Sequence, residues 1–224
     1  MAHGRVAHVA RVVACVVGTS LLISACSGTG YNYVKSSDFH TYFKVPDRWK
    51  LYDEKQVIDV TATDISEKQR DFILENSWRT MFDASTKPSL GHVLNYRAKS
   101  PTGYAVVTPL SSEDSLKAND DFLLNYFVDV NTALNEQRLT TIKGEPVNLD
   151  GGFHGVRLVA KLVVSETDAS TVHEGAAIVF DQLVLLDQQH KKIYAVIIGC
   201  SAQCYDDNQG KIDSVIASWT VRDS

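Results

Sequence analysis

Proline is scarce in this 224-residue sequence, with five copies, and charged residues stop at 22%. Together these argue against wholesale disorder. Positive charge is the minority sign, with 22 lysines and arginines against 27 aspartates and glutamates, a formal net charge of -5. An acidic chain is repelled by nucleic acid and by anionic lipid, so neither is expected as a ligand. Apolar runs long enough to cross a bilayer as a helix, about 20 residues, are missing. So are internal repeats and low-complexity tracts. The chain contains no G-x-S-x-G nucleophile elbow, no G-x-x-x-x-G-K-[ST] or G-x-G-x-x-G phosphate loop and no H-E-x-x-H. No catalytic residue, metal ligand or cofactor is therefore assigned from sequence.

Hydrophobic residues make up 44% of the chain, enough for the core of one ordinary domain. The N-terminus is the most informative stretch. Arg5 and Arg11 form a short basic region, and Val12 to Ile23 (VVACVVGTSLLI) is apolar over the length a signal peptide uses. Ile23-Ser24-Ala25-Cys26 follows, then Ser27-Gly28-Thr29-Gly30. An aliphatic residue, two small residues and a cysteine make the pattern of a bacterial lipobox. The small residues let a signal peptidase reach the backbone, and the thiol carries the lipid as a thioether. An ordinary cleaved signal or an uncleaved anchor would also use such an apolar stretch; the placing of Cys26 distinguishes the lipobox. Two acyl chains of a diacylglycerol hold stably on a membrane where one does not. The expected organisation is a signal peptide over 1–25, a lipidated tether over 26–37 and a single domain over 38–224. Removing residues 1–25 takes away two positive charges, and the balance falls from -5 to -7.

Of the four cysteines, Cys15 leaves with the signal and Cys26 is acylated. Cys200 and Cys204 remain as an even pair in an oxidising compartment, where a disulfide is favoured. The C-x-x-x-C spacing also occurs in secreted copper proteins, but there it sits at a thioredoxin-like strand-to-helix junction with proline after the second cysteine. Here Tyr205 follows and no βαβ pattern precedes. The histidines of the processed chain, His40, His92, His154, His173 and His190, are singly placed. His154 and His173 fall on strands that are candidate neighbours, but two histidines do not complete a metal site. The carboxylates Glu113-Asp114, Asp120-Asp121 and Asp206-Asp207 are read as residues at helix N-termini.

Phe39–Val45, Trp49–Tyr52, Tyr104–Leu110, Leu139–Leu149, Phe153–Val164, Thr171–Leu186 and Ile193–Cys200 read as strands, the last nearly all apolar and central. Ser66–Phe82 reads as a helix opened by a Ser66/Gln69 capping box, with Leu74, Trp78 and Met81 on one face. A second helix carries Leu123, Phe127, Val130 and Leu134. A third spans Asp206–Ser218 and turns Ile212, Val215, Ile216 and Trp219 to the core. Gly151-Gly152 breaks the strand series, and Asp187–Lys191 is a hairpin loop. Tyr31 and Tyr33, in the tether, are expected on a partner or on the domain surface. The fold class expected is α+β, with a largely antiparallel sheet sandwiched by helices.

The order of FKVPDRW near the processed start, YAVVTPL followed by a helix, a glycine-led hairpin series and a closing IDSVIASWTV resembles the Mog1/PsbP-like fold. Lipoproteins of the LpqN type share that fold. WRTMFDASTKPSLGHV, over Trp78 to Val93, is similar to stretches of actinobacterial lipoproteins. The resemblance implies an antiparallel sheet between helices and a non-catalytic role, since PsbP-like domains act as accessory or assembly subunits, Mog1 binds a protein, and LpqN-type lipoproteins are associated with envelope partners. Val57–Gly103 departs from the pattern and is where chain-specific features are sought. The expectation is thus a lipid-anchored accessory protein on the extracytoplasmic face of the cell membrane, docking an envelope protein. A small-molecule or lipid carrier is the first alternative, and a thiol or copper redox protein using Cys200 and Cys204 the second.

Overall fold

The computed structural model describes residues 30–94, 99–163 and 177–222. Cys26 and His173 lie outside them. The described chain opens with β1 (Tyr31–Ser36), antiparallel to β2 (Thr41–Pro46). Then come β3 (Lys50–Tyr52), α1 (Glu54–Thr61), α2 (Glu67–Asn76), β4 (Trp78–Asp83), α3 (Leu90–Leu94) and β5 (Thr102–Pro109). Three short helices follow: α4 (Ser112–Lys117), α5 (Asp120–Leu124) and α6 (Val130–Asn135). The strands β6 (Leu139–Asn148), β7 (His154–Val163), β8 (Ala177–Leu186) and β9 (Lys192–Ser201) complete the main sheet. The helix α7 (Ala202–Ala217) and β10 (Thr220–Val221) end the described chain.

Seven strands form one antiparallel sheet in the order β3-β4-β5-β9-β8-β7-β6, and β1-β2-β10 form a small second sheet. The apolar runs in β8 and β9 explain their central place: both faces are covered, so nearly every side chain is buried. The β6 strand, at the edge, is exposed along most of its length and carries Pro146 and an irregular register at Thr141/Lys143, features that blunt an edge. Gly151 and Gly152 turn the chain between β6 and β7 with φ of 82° and 77°, a backbone that side chains resist.

One face of the large sheet packs on α7 and the small sheet. Phe43 of β2 stacks on Trp219 at 5.0 Å and leans on Phe82 of β4 at 6.2 Å. The Phe82 ring fills the space over Gly103, its register partner on β5, where a Cβ would lie 2.2 Å from the ring. The opposite face packs on α1, α3, α5 and α6. Val57, Met81 and Val93 pack together at one end, and Leu123, Val130 and Ala133 cover β7–β9 at the other. The α+β class with an antiparallel sheet between helices is thus realised.

Four local readings are corrected. The helix expected over Ser66–Phe82 stops at Asn76; its Ser66/Gln69 capping box is present, but the helix buries no residue. Beyond it, Trp78 turns to Phe43 and Met81 to Tyr52 and Val57 on the other face, a period of two that pairing with β5 enforces. The single helix expected through Leu123, Phe127, Val130 and Leu134 is cut into pieces by successive N-caps. Ser111 accepts from the amide of Asp114, Asn119 from Phe122 and Asp129 from Thr132. Leu134 is left exposed. Tyr31–Ser36, read as tether, is β1. The last helix begins at Ala202, capped by Ser201, so Asp206-Asp207 lie a turn inside it.

Candidate functional site

The α1–α6 face of the sheet carries a seam between its two helical groups. Alternation on β4 sends Arg79, Met81 and Asp83 to this face. Register then places Met81, Tyr104, Ile197, Gln182 and Leu158 in one row across β4, β5, β9, β8 and β7. Tyr104 lies where the groups meet and packs against both. Phe127 meets its ring edge-on at 6.1 Å, and Tyr126 meets Phe127 at 5.0 Å.

Polar groups converge there. Glu54 opens α1, directly after its N-cap Asp53. Glu54 Oε1 and Arg79 Nε are shielded from solvent and have no hydrogen-bond partner among the described residues. Arg79 Nη2 donates to Ser77 Oγ at 2.7 Å. Burial pushes the Glu54 carboxyl up to about 7, with Asp53 adding to the rise and Arg79 opposing it. Burial, with Tyr104 adding to it, likewise raises the Tyr126 phenol to about 12, again against Arg79. One guanidinium therefore acts on a carboxyl from α1 and a phenol from the α5–α6 connection. Gln182, fully buried, donates through Nε2 to the carbonyl of Leu124 at 2.7 Å and pins the end of α5, while its Oε1 lacks a partner. An open cleft of about 670 Å³ continues from Tyr126 along α4–α6. Its polar walls brace the helices: Asp121 Oδ1 accepts from Asn131 Nδ2 at 2.9 Å, and Asn125 Oδ1 accepts from the Asn131 amide at 3.0 Å.

At the far end of β4, fully buried Asp83 accepts from the amides of Ser85 and Ser89, each at 2.8 Å, and faces His92 Nδ1 at 2.7 Å. The carboxylate thereby closes the β4–α3 loop and fixes the ring of His92, which is half-exposed. The hydroxyls of Ser85 and Ser89 accept from the amides of Lys87 and Gly91, so they shape the same loop.

On the other face, Asp181 of β8 is fully buried and takes a two-pronged contact from Arg157 of β7: Nε to Oδ1 at 2.9 Å and Nη2 to Oδ2 at 2.5 Å. The same Nη2 reaches Asp213 on α7 at 2.5 Å. The hydrogen bond to Asp181 leads the causes that hold the Arg157 guanidinium above its ordinary value. Burial, with help from Asp181 and Asp213, raises the nearby Tyr205 phenol. This network ties two strands to the last helix.

Cys200, at the end of β9, and Cys204, in the first turn of α7, have Sγ atoms 2.03 Å apart, disulfide-bonding distance, and both residues are buried. His154 has its ring 5.1 Å from that of His190. Among the described residues no three of histidine, cysteine, aspartate and glutamate are grouped to hold a metal ion. Tyr33 stacks on Tyr42 at 5.9 Å, and Lys44 sits over the Tyr31 ring at 4.5 Å, so both rings dock on the domain surface.

The sequence missed Asp83, Glu54, Arg79 and the Arg157 network. Two carried a local signal. Asp53-x-x-Gln56 is a capping box like Ser66-x-x-Gln69, and Asp83 two residues before Ser85 is a turn former. Arg157 and Asp181 stand out only as charges inside apolar strands.

No family model matches the chain, and no curated protein matches it. Among solved structures the chain is similar to cyanobacterial PsbP (CyanoP) from Synechocystis sp. PCC 6803, at 12% identity and a TM-score of 0.49, over 89% of this chain and 99% of that one. It is also similar to the Saccharomyces cerevisiae Ran-binding protein Mog1p, at 11% identity and a TM-score of 0.45, over 85% and 95% of the two chains.

Proposed function

We propose that this chain is a lipoprotein held on the extracytoplasmic face of the cell membrane by a diacylglycerol on Cys26, and that its domain is a non-catalytic accessory module for an envelope protein. The anchor reading rests on Ile23-Ser24-Ala25-Cys26 at the end of an apolar stretch. The LpqN-type resemblance agrees with it. The domain begins at β1, so only four residues, Ser27 to Gly30, separate Cys26 from Tyr31. That gap, Cys26 to Tyr31, spans at most about 17 Å. A lipid at Cys26 therefore keeps the domain against the headgroups, where membrane proteins are its nearest partners.

The observation that carries docking is the seam at Arg79. A buried acceptor and a buried donor there have unmet bonds, beside two aromatic rings, and an unmet buried bond costs on the order of 1–3 kcal/mol. A polypeptide segment entering between α1 and Tyr126 supplies both a donor and an acceptor from its backbone. The buried Cys200–Cys204 pair is read as a disulfide staple, because reactive cysteines sit in exposed, electropositive places. A small-molecule carrier is the second reading, favoured by the 670 Å³ cleft, a size in the ligand-pocket range.

Crosslinking in native membranes, followed by capture and peptide mapping, tests the docking. The reading expects one envelope protein crosslinked through the Asn125–Asp129 segment and lost in Arg79→Ala, while Lys161→Ala at an exposed position of β7 leaves it unchanged. Recovery of no partner, or capture indifferent to Arg79, contradicts it.

A further inference from the structure

A second concavity lies far from the seam, where the β1–β2 hairpin meets β10. It is an open pocket of about 450 Å³. Lys35 of β1, His40 of the hairpin turn and Arg222 after β10 line it, with Ser36, Ser37 and Thr41. Among the described residues its lining includes no carboxylate, although the processed chain has a net charge of -7. Among the described residues Lys35, His40 and Arg222 make no ion pair; the basic groups with carboxylate partners, such as Arg70 with Asp59 and Arg157 with Asp181, are elsewhere.

Three further features show that the pocket is built. Register sets Lys35 opposite Tyr42 and Tyr42 opposite Thr220, so these side chains share one face of the small sheet. The amide of Arg222 donates to the carbonyl of His40 at 3.0 Å, so the backbone at Arg222 is clamped to the hairpin. His40 holds a φ of 49°, a left-handed backbone that glycine or asparagine adopts at less cost. A side chain kept where the backbone resists it points to a use for that side chain.

We infer that this pocket binds a phosphate group, either as free phosphate or as the phosphomonoester of a lipid headgroup. Arg222 offers the fork that matches phosphate oxygens, and Lys35 adds a mobile point charge. The hydroxyls of Ser37 and Thr220, which line the same pocket, supply donors to the remaining oxygens, and His40 closes the ring from the turn. Charge-assisted bonds of this kind are about twice as strong as neutral ones, and screening by salt weakens them.

The test is calorimetric titration of the detergent-solubilised full chain at low ionic strength, with inorganic phosphate in one arm and glycerol phosphate in the other. Arg222→Gln and Lys35→Gln each weaken binding about tenfold, Thr220→Val weakens it several-fold, and Lys161→Gln leaves it unchanged. Residues 35 and 222 are exposed, so both variants keep the native thermal midpoint. Tighter binding of glycerol phosphate assigns the ligand to a headgroup, and tighter binding of inorganic phosphate assigns it to the free anion. Binding of neither probe, or equal binding by every variant, overturns the inference.

Discussion

Glu54 sets a pH dependence that a single substitution isolates. Its carboxyl, pushed up to about 7 in the folded chain from an ordinary value of 4.5, holds a proton more firmly folded than unfolded. Its contribution to stability is therefore greatest below about 4.5 and declines as pH rises through 7. Because the group is partly exposed, the effect is discounted to about 1 kcal/mol at neutral pH. Glu54→Gln removes that slope and raises stability at pH 7 by about that amount, read as the difference between urea midpoints of the two proteins from pH 4 to pH 8. A flat difference across that range contradicts the burial argument. Neighbouring residues differ in how much of this is written locally. Asp53 and Gln56 announce the start of α1, whereas the shielding of Glu54 depends on α1 lying beside Arg79 of β4, a contact between elements that no local pattern encodes.

At the scale of elements, the Arg157–Asp181–Asp213 network joins β7, β8 and α7. Arg157→Met removes the cation from a buried carboxylate and costs on the order of 3–5 kcal/mol, measured by chemical denaturation. Asp213→Asn, at a half-exposed position, costs about 1 kcal/mol or less. Equal losses for the two variants contradict the reading of Asp181 as the buried partner. Cys204→Ser, which opens the short loop between β9 and α7, costs about 2 kcal/mol in the chain-entropy model, read by the same measurement. Legibility follows the same line. The strands β5, β7, β8 and β9 were readable because burial on both faces makes them long β-branched runs. The end of α2 was not, because Leu74, Trp78 and Met81 fit a helical period and only pairing with β5 makes Trp78–Asp83 a strand. The split of the α4–α6 region had a visible cause in Ser111, Asn119 and Asp129, but each cap competes with an apolar stripe that also suits a single helix. The seam and the hairpin pocket combine residues from three or more elements and surface only once the sheet is assembled.

For the whole molecule, under the proposed acylation of Cys26, the four residues between it and β1 decide what the domain meets. With Tyr31–Ser36 built into the small sheet, the domain has little slack. The hairpin pocket lies at the other end of β1, about 17 Å further along the strand. The seam and the pocket are on different parts of the surface, so partner docking and anion binding are separable by variants at Arg79 and Arg222. The central claim is that Cys26 becomes the acylated first residue of the working protein. Intact mass and N-terminal peptide analysis of the protein purified from its native membranes tests this most directly. The account predicts a chain beginning at residue 26 with the added mass of a diacylglycerol, and a Cys26→Ser variant that leaves the membrane fraction or keeps its leader. A native chain that begins elsewhere and carries no lipid mass contradicts it.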